Sequence, residues 1–187
     1  MVVVFCLGEM SFSSLFAQNG KTIEELDFNA YLRVKEDGRV DCFTGKIEMG
    51  QGIITSLAQV VAEELEVSIY DVDMIMGDTE LCPYDGGTWG SLTTRFIDPV
   101  LRDAAAEARE VLLDLAAEHF GVNKTSLQVI EGVVSVKNDS SNKIAYSELT
   151  KGKKIVRSLT KKPELKKAKD FKLIGKPIRS LDAEAKV

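Results

Sequence analysis

"KIEMGQGIITSLAQVVAEEL", Lys46 to Leu65, joins an apolar-polar alternation to a run in which Ile53, Ile54, Leu57, Val60, Val61 and Leu65 recur at three- and four-residue spacing. The first pattern has the period of a strand and the second that of a helix. Between them stand Gly50 and Gly52, one on each side of Gln51. Glycine loses more backbone freedom on folding than any other residue, so this handover needs an unusual turn or a very close neighbour. The spacing predicts a helix of about four turns, with Glu63, Glu64 and Glu66 mostly on its outer side.

Upstream, Tyr31, Leu32 and Val34 are separated from Val40, Cys42 and Phe43 by Asp37-Gly38, the signature of a β-hairpin. Downstream, Val72 to Met76 reads as a buried strand, with Met74 and Met76 as core filler. "TELCPYDGGTWGSLTTRF", Thr79 to Phe96, has no periodicity and reads as a long loop, a class that is either functional or without fixed structure. Asp98 as N-cap and Pro99 at the first helical position predict the longest helix, running to Phe120 and stopped by Gly121. Val129-Ile130 and Val133-Val134 around Glu131-Gly132 predict a second hairpin, and "YSELTKGKK" a short helical turn ending at Gly152. The order is β-β-α-β-loop-α-β-β plus an extended basic tail. This is an α+β (α/β layered) domain in which two main helices cover a mixed sheet.

With 187 residues, 44% of them hydrophobic, the chain can bury one ordinary core. Its net charge of -5 conceals an asymmetry. Residues 1–150 hold 11 Lys+Arg against 25 Asp+Glu, a balance of -14, whereas residues 151–187 hold 13 against 4, a balance of +9. Clustered lysines can track a nucleic-acid backbone, but no aromatic platform accompanies these, and a strap across the acidic body is the favoured reading. No nucleic-acid partner is expected.

Cys6, Cys42 and Cys82 are widely spaced and lack a C-x-x-C pair, so they read as small buried side chains rather than a zinc site or disulfide framework. His119 is the only histidine and sits where a helix ends, a favourable place for a partly charged imidazole. Neither a metal site nor a catalytic residue is assigned. The opening Val2 to Leu7 run, with Ala17 as a small residue at a cleavage position, reads either as an export signal or its remnant, or as a disordered or strand-forming terminus. The first reading favours the periplasm or cell envelope. No stretch approaches the roughly 20 apolar residues of a membrane-spanning helix.

Two glycine-rich turns remain as chemical candidates. At Met49-Gly50-Gln51-Gly52, helix-end N–H groups suit an anion or a carbonyl-bearing ring, and Gln51 adds a donor and an acceptor. The alternative is a tight strand-to-helix turn. "DGGTWGSLTTR", Asp85 to Arg95, presents hydroxyls and bare amides of the kind that cradle phosphate, without Walker or dinucleotide-fold spacing. The alternative there is a surface loop with Trp89 tucked beneath it. A body this acidic repels anions, so a bound phosphate needs local amides and helix ends, with Lys46 or Arg95 as a further candidate, to reverse the field.

The pair "GKIEMGQGIITSLAQVVAEELEV" and "MGDTELCPYDGGTWGSLTTR" resembles the molybdopterin-binding large subunit of the xanthine dehydrogenase and aldehyde oxidase family, of the isoquinoline 1-oxidoreductase beta-subunit type. The resemblance spans residues 28–187. It implies that Gly50, Gln51 and Gly52 contact the molybdopterin cofactor, and that Gly90, Ser91 and Thr93 lie at its phosphate end or cytosine dinucleotide. It further implies hydroxylation of a small aldehyde or N-heterocycle with water as oxygen source, two electrons passing to an iron-sulfur subunit or domain. That family's catalytic glutamate and its Gly-Phe-Gly loop have no counterpart in these residues. The expected organisation is therefore a fragment: 1–27 a signal remnant or flexible N-terminus, 28–150 a molybdopterin-binding domain, and 151–187 a basic strap toward the remainder of the subunit, mobile in isolation.

Overall fold

A computed structural model describes residues 3–6, 30–151, 155–158 and 163–186. Strand β1 (Val3–Cys6) pairs in parallel with β8 (Ile155–Ser158). The opening apolar run is thus strand-forming at residues 3–6, and the rest of the suggested export signal lies outside the described residues.

The hairpin expected around Asp37-Gly38 forms from β2 (Ala30–Val34) and β3 (Val40–Thr44), with Gly38 at φ 89. After β3 the chain passes through helix α1 (Ile53–Leu65) and returns as β4 (Val72–Met76), which pairs with β3 in parallel. Parallel neighbours require such a crossover. All five residues of β3 are buried, including Asp41, which meets Arg33 and Lys35.

α1 buries Leu57, Val61 and Leu65 completely, as its period predicts, and packs against helix α2 (Thr93–Phe120). Ala104, Ala105 and Ala108 are at most 1% exposed on α2, and residues this small let helices approach closely. The helix starts at Thr93, six residues before the expected N1 proline. Thr93, Ile97 and Leu101 continue one buried stripe at four-residue spacing through an exposed Pro99. Core burial along that stripe outweighs the lost proline hydrogen bond, so Asp98 is not a cap. Gly121 ends the helix in the left-handed region at φ 65.

Beyond α2, β5 (Leu127–Ile130), β6 (Val133–Val136) and β7 (Asp139–Ala145) form an antiparallel sheet. Glu131 and Gly132 both take positive φ, 48 and 74, as a two-residue hairpin turn demands. α3 (Tyr146–Thr150) follows, and the Tyr146 hydroxyl donates to the Leu65 carbonyl at 3.0 Å, fastening this sheet to the end of α1. Among the described residues the strands therefore divide among three sheets instead of one, and β1, β7 and β8 are additions to the expected order. β7 escapes a periodicity reading because its sequence, DSSNKIA, is largely polar.

Two expectations about the surface are overturned together. Glu63 and Glu64 are 2% and 0% exposed, not outward-facing. Residues 163–186 lie along α1 and cover them, so this part of the basic tail is a packed strap rather than a free one. Leu173, Ile174, Ile178 and Leu181 pack against the core cluster. Burying carboxylates is costly unless charge and hydrogen bonds compensate, and both requirements are met by the strap and by α2.

Candidate functional site

The two glycine-rich turns come together just before α1, through Lys46 and Ile47. Lys46 Nζ lies 2.6 Å from Asp85 Oδ1 and donates to the Gly87 carbonyl at 2.6 Å. One residue on, Ile47 N–H donates to Thr88 Oγ1 at 2.9 Å. A Cβ on Gly45 would fall 2.4 Å from Asp85 Cβ and 2.7 Å from the Pro83 carbonyl oxygen. This glycine allows two backbones to approach where a side chain has no room. Lys46 is therefore committed to the clamp, with its side chain 5% exposed, and is not the field-reversing cation expected of it.

The Gly-Gln-Gly turn is organised differently from its sequence reading. Gly50 and Gly52 take φ 97 and 81, a region that side-chain-bearing residues avoid, and among the described residues no atom beyond the chain neighbours lies within 4 Å of either missing Cβ. Their role here is conformational freedom and open space rather than close packing. The helix-end amides are occupied: Glu48 Oε1 accepts from Gly50 N at 2.7 Å and Gly52 N at 3.0 Å, and Oε2 from Ile54 N at 3.1 Å. Desolvation pushes this carboxyl up, but those amide bonds and the Lys186 charge outweigh it, and its pKa is lowered from the ordinary value. The exposed Gln51 amide folds onto its own loop, donating to the Ile47 carbonyl at 2.9 Å and accepting from Met49 N–H.

The opposite condition holds at the second turn. Gly90 and Ser91 take φ 64 and 57 in succession and lead into α2, whose N-terminus has no side-chain cap and no acidic residue in its first turn. A serine in the left-handed region is uncommon, and such local strain persists where surrounding structure over-determines it. Of the two helix starts that follow the glycine turns, the one held by a carboxylate is α1, whereas at α2 Gly90 and Ser91 are exposed and Thr93 is 8% exposed. Arg95 is exposed on that first turn, its guanidinium 5.4 Å from the Phe96 ring centroid.

Five large apolar side chains in the sequence of these two segments are exposed. Ile47, Met49, Leu81, Tyr84 and Trp89 are 43–64% exposed, and Trp89, 52% exposed, is not tucked under the loop. Its indole N–H donates to the Gly86 carbonyl at 3.2 Å. The sequence carries no sign of this exposure, because these residues are scattered through a stretch without period.

Residues 5–184 match a family described as the molybdopterin cofactor-binding domain. The chain is 36% identical over 165 residues to a nicotinate dehydrogenase subunit of Pseudomonas putida, a match covering 88% of this chain and 14% of that protein. The beta subunit of isoquinoline 1-oxidoreductase from Brevundimonas diminuta is 34% identical over 140 residues, covering 71% of this chain and 18% of that protein. Among solved structures, reconstituted CO dehydrogenase from Oligotropha carboxidovorans superposes with a TM-score of 0.58 at 28% identity, over 65% of this chain and 15% of that one. The chain spans under a fifth of the length of each.

Proposed function

The chain belongs to the molybdopterin cofactor-binding domain family, and on that premise we propose that it serves as the cofactor-holding segment of a molybdenum hydroxylase large subunit acting on a small aldehyde or N-heterocycle. The observation that carries this reading is the clamp of Lys46 on Asp85 and Gly87, which sets the two glycine turns side by side.

These residues fit a flat ring with an anionic end. Gly50 and Gly52 leave open space above the backbone, and the start of α2, which has no side-chain cap, points its first amides where a phosphate could meet them. We assign Gly50, Gln51 and Gly52 to the pterin, and Gly90, Ser91 and Thr93 to its phosphate or cytosine dinucleotide. Contact through the Gln51 amide requires it to exchange its bonds to Ile47 and Met49, a near-neutral swap. The cofactor supplies the two-electron oxidation when bound, and an iron-sulfur subunit or domain receives the electrons. Residues 28–150 form the binding domain in this reading, the remainder of the large subunit supplies the catalytic base and substrate pocket, and the periplasm is its compartment.

In the complete subunit, Ser91→Asp, which places a carboxylate at the phosphate end, is expected to lower molybdenum and pterin content at least tenfold. Gln51→Ala is expected to lower both by a smaller factor. Wild-type molybdenum content with wild-type turnover in both variants overturns the assignment and leaves a non-catalytic binding module with the same fold.

A further inference from the structure

Along α1, side chains at four-residue spacing read the backbone of the strap. Glu63 Oε2 accepts from three successive amides, Lys172 at 2.8 Å, Leu173 at 2.6 Å and Ile174 at 3.2 Å, while Oε1 meets Lys166 Nζ at 3.2 Å. One turn earlier, Gln59 Nε2 donates to the Leu173 and Lys176 carbonyls at 2.8 and 3.1 Å. One turn earlier again, Thr55 Oγ1 accepts from Leu181 N at 2.9 Å. The strap thus runs antiparallel to the helix, from its C-terminal end toward the Gly-Gln-Gly turn.

At that end the two elements share a boundary. Ile54, Leu181 and Asp182 line one cavity of about 540 Å³ over β2 to β4. Ile54 N–H is also one of the three amides held by Glu48, whose other two belong to Gly50 and Gly52. The Leu181 N–H bond to Thr55, whose chain neighbour Ile54 is held by Glu48, joins the strap to the turn. At the opposite end the strap is gripped from α2 as well: Arg102 and Arg109 donate to the Lys166 and Glu164 carbonyls, and both guanidiniums meet the buried Glu64. Leu173, Ile174 and Leu181 add apolar contact between these points.

A loop that needed only to pass over a helix would not require a buried carboxylate at its centre. Removing an acceptor that satisfies three amides leaves all three without partners, so the grip is strong and all-or-none. We propose that residues 163–186 act as a latch that fixes the axial position of α1 through Glu63, Gln59 and Thr55, and so holds Gly50, Gln51 and Gly52 in place. Glu63 is a positioning residue in this scheme: it touches neither turn. The latch rests on contacts within the chain, and only its significance for cofactor binding rests on the function proposed above.

Amide hydrogen exchange on the full chain without cofactor separates the two ideas. Glu63→Ala is expected to speed exchange at Lys172, Leu173 and Ile174 at least tenfold, and to speed exchange at Gly50, Gly52 and Ile54 several-fold, while the centre of α2 keeps its protection. Freed strap amides with unchanged exchange at the turn overturn the latch. Thr55→Val cuts the near end without touching Glu63, so it serves if Glu63→Ala does not fold. Faster exchange at the turn again supports the latch, and no change there overturns it. A positive exchange result combined with normal molybdenum content in the Ser91→Asp and Gln51→Ala large subunits would leave the latch standing and sink the cofactor assignment alone.

Discussion

Lys46 and Asp85, 39 residues apart in sequence, meet at 2.6 Å with their side chains 5% and 1% exposed, and this pair holds the two glycine-rich turns together. A buried ion pair contributes little net stability compared with apolar packing, because desolvating two charges offsets their attraction. Its contribution here is register: one contact dictates which face of the loop meets which face of the turn.

Breaking one side of that pair leaves an uncompensated charge. Lys46→Met is expected to destabilise the chain by about 3–5 kcal/mol, read from urea unfolding. Lys46→Met combined with Asp85→Leu is expected to recover most of that loss. A single variant within about 0.5 kcal/mol of wild type would show that the side chains are not sealed from water.

Three glycines near the clamp respond to substitution for different reasons. Gly45→Ala forces a methyl to within 2.4 Å of Asp85 Cβ and must push the loop away, a cost of about 1–3 kcal/mol. Gly50→Ala and Gly52→Ala meet no neighbour, and cost about 1–2 kcal/mol each through their positive φ. The distinguishing measurement is exchange at the Thr88 loop, which Gly45→Ala is expected to accelerate and the other two to leave alone.

The features legible in the sequence are those set by neighbouring residues. The stripe on α1, the turns at Asp37-Gly38 and Glu131-Gly132, and the stop at Gly121 each depend on a few adjacent positions, and all appear as expected. Glu63 and Glu64 defeat such a reading because their partners lie 38 to 111 residues away, in α2 and in the strap, beyond any periodicity. The start of α2 defeats it for a related reason, since burial of Thr93 and Ile97 overrides the local preference of Pro99. At the site itself, both turns are visible as glycine clusters, but the clamp and the Glu48 cap depend on side-chain reach that spacing does not encode.

Glu48 holds three amides at the start of α1, and Glu48→Gln is expected to cost about 0.5–2 kcal/mol at neutral pH, as loss of a helix cap does. The pH dependence has a definite sign. A carboxyl whose pKa is lowered on folding contributes stability above its unfolded value, and that stability is lost as pH falls through the folded one. The gap between wild type and variant should therefore be full above about pH 5 and close in stronger acid. A gap independent of pH would rule out the carboxylate as the group responsible.

Asp98 should behave in the opposite way. Burial raises its pKa to about 6, with Arg102 only partly opposing, and its Oδ1 is buried without a hydrogen-bond partner. Arg102 is already engaged by Glu64 at 2.6 Å. Because the folded carboxyl holds its proton to higher pH than the unfolded one, the unfolded state binds fewer protons between about pH 4 and 6, and stability falls as pH rises through that window. Asp98→Asn removes the ionisation and keeps the shape. It is expected to be more stable than wild type by about 1–3 kcal/mol at pH 7, with the advantage fading below about pH 4, where both carboxyls are neutral. Urea unfolding at pH 4 and pH 7 measures this directly. A variant less stable than wild type at pH 7 would mean that the ionised carboxylate is stabilised by a partner near the start of α2.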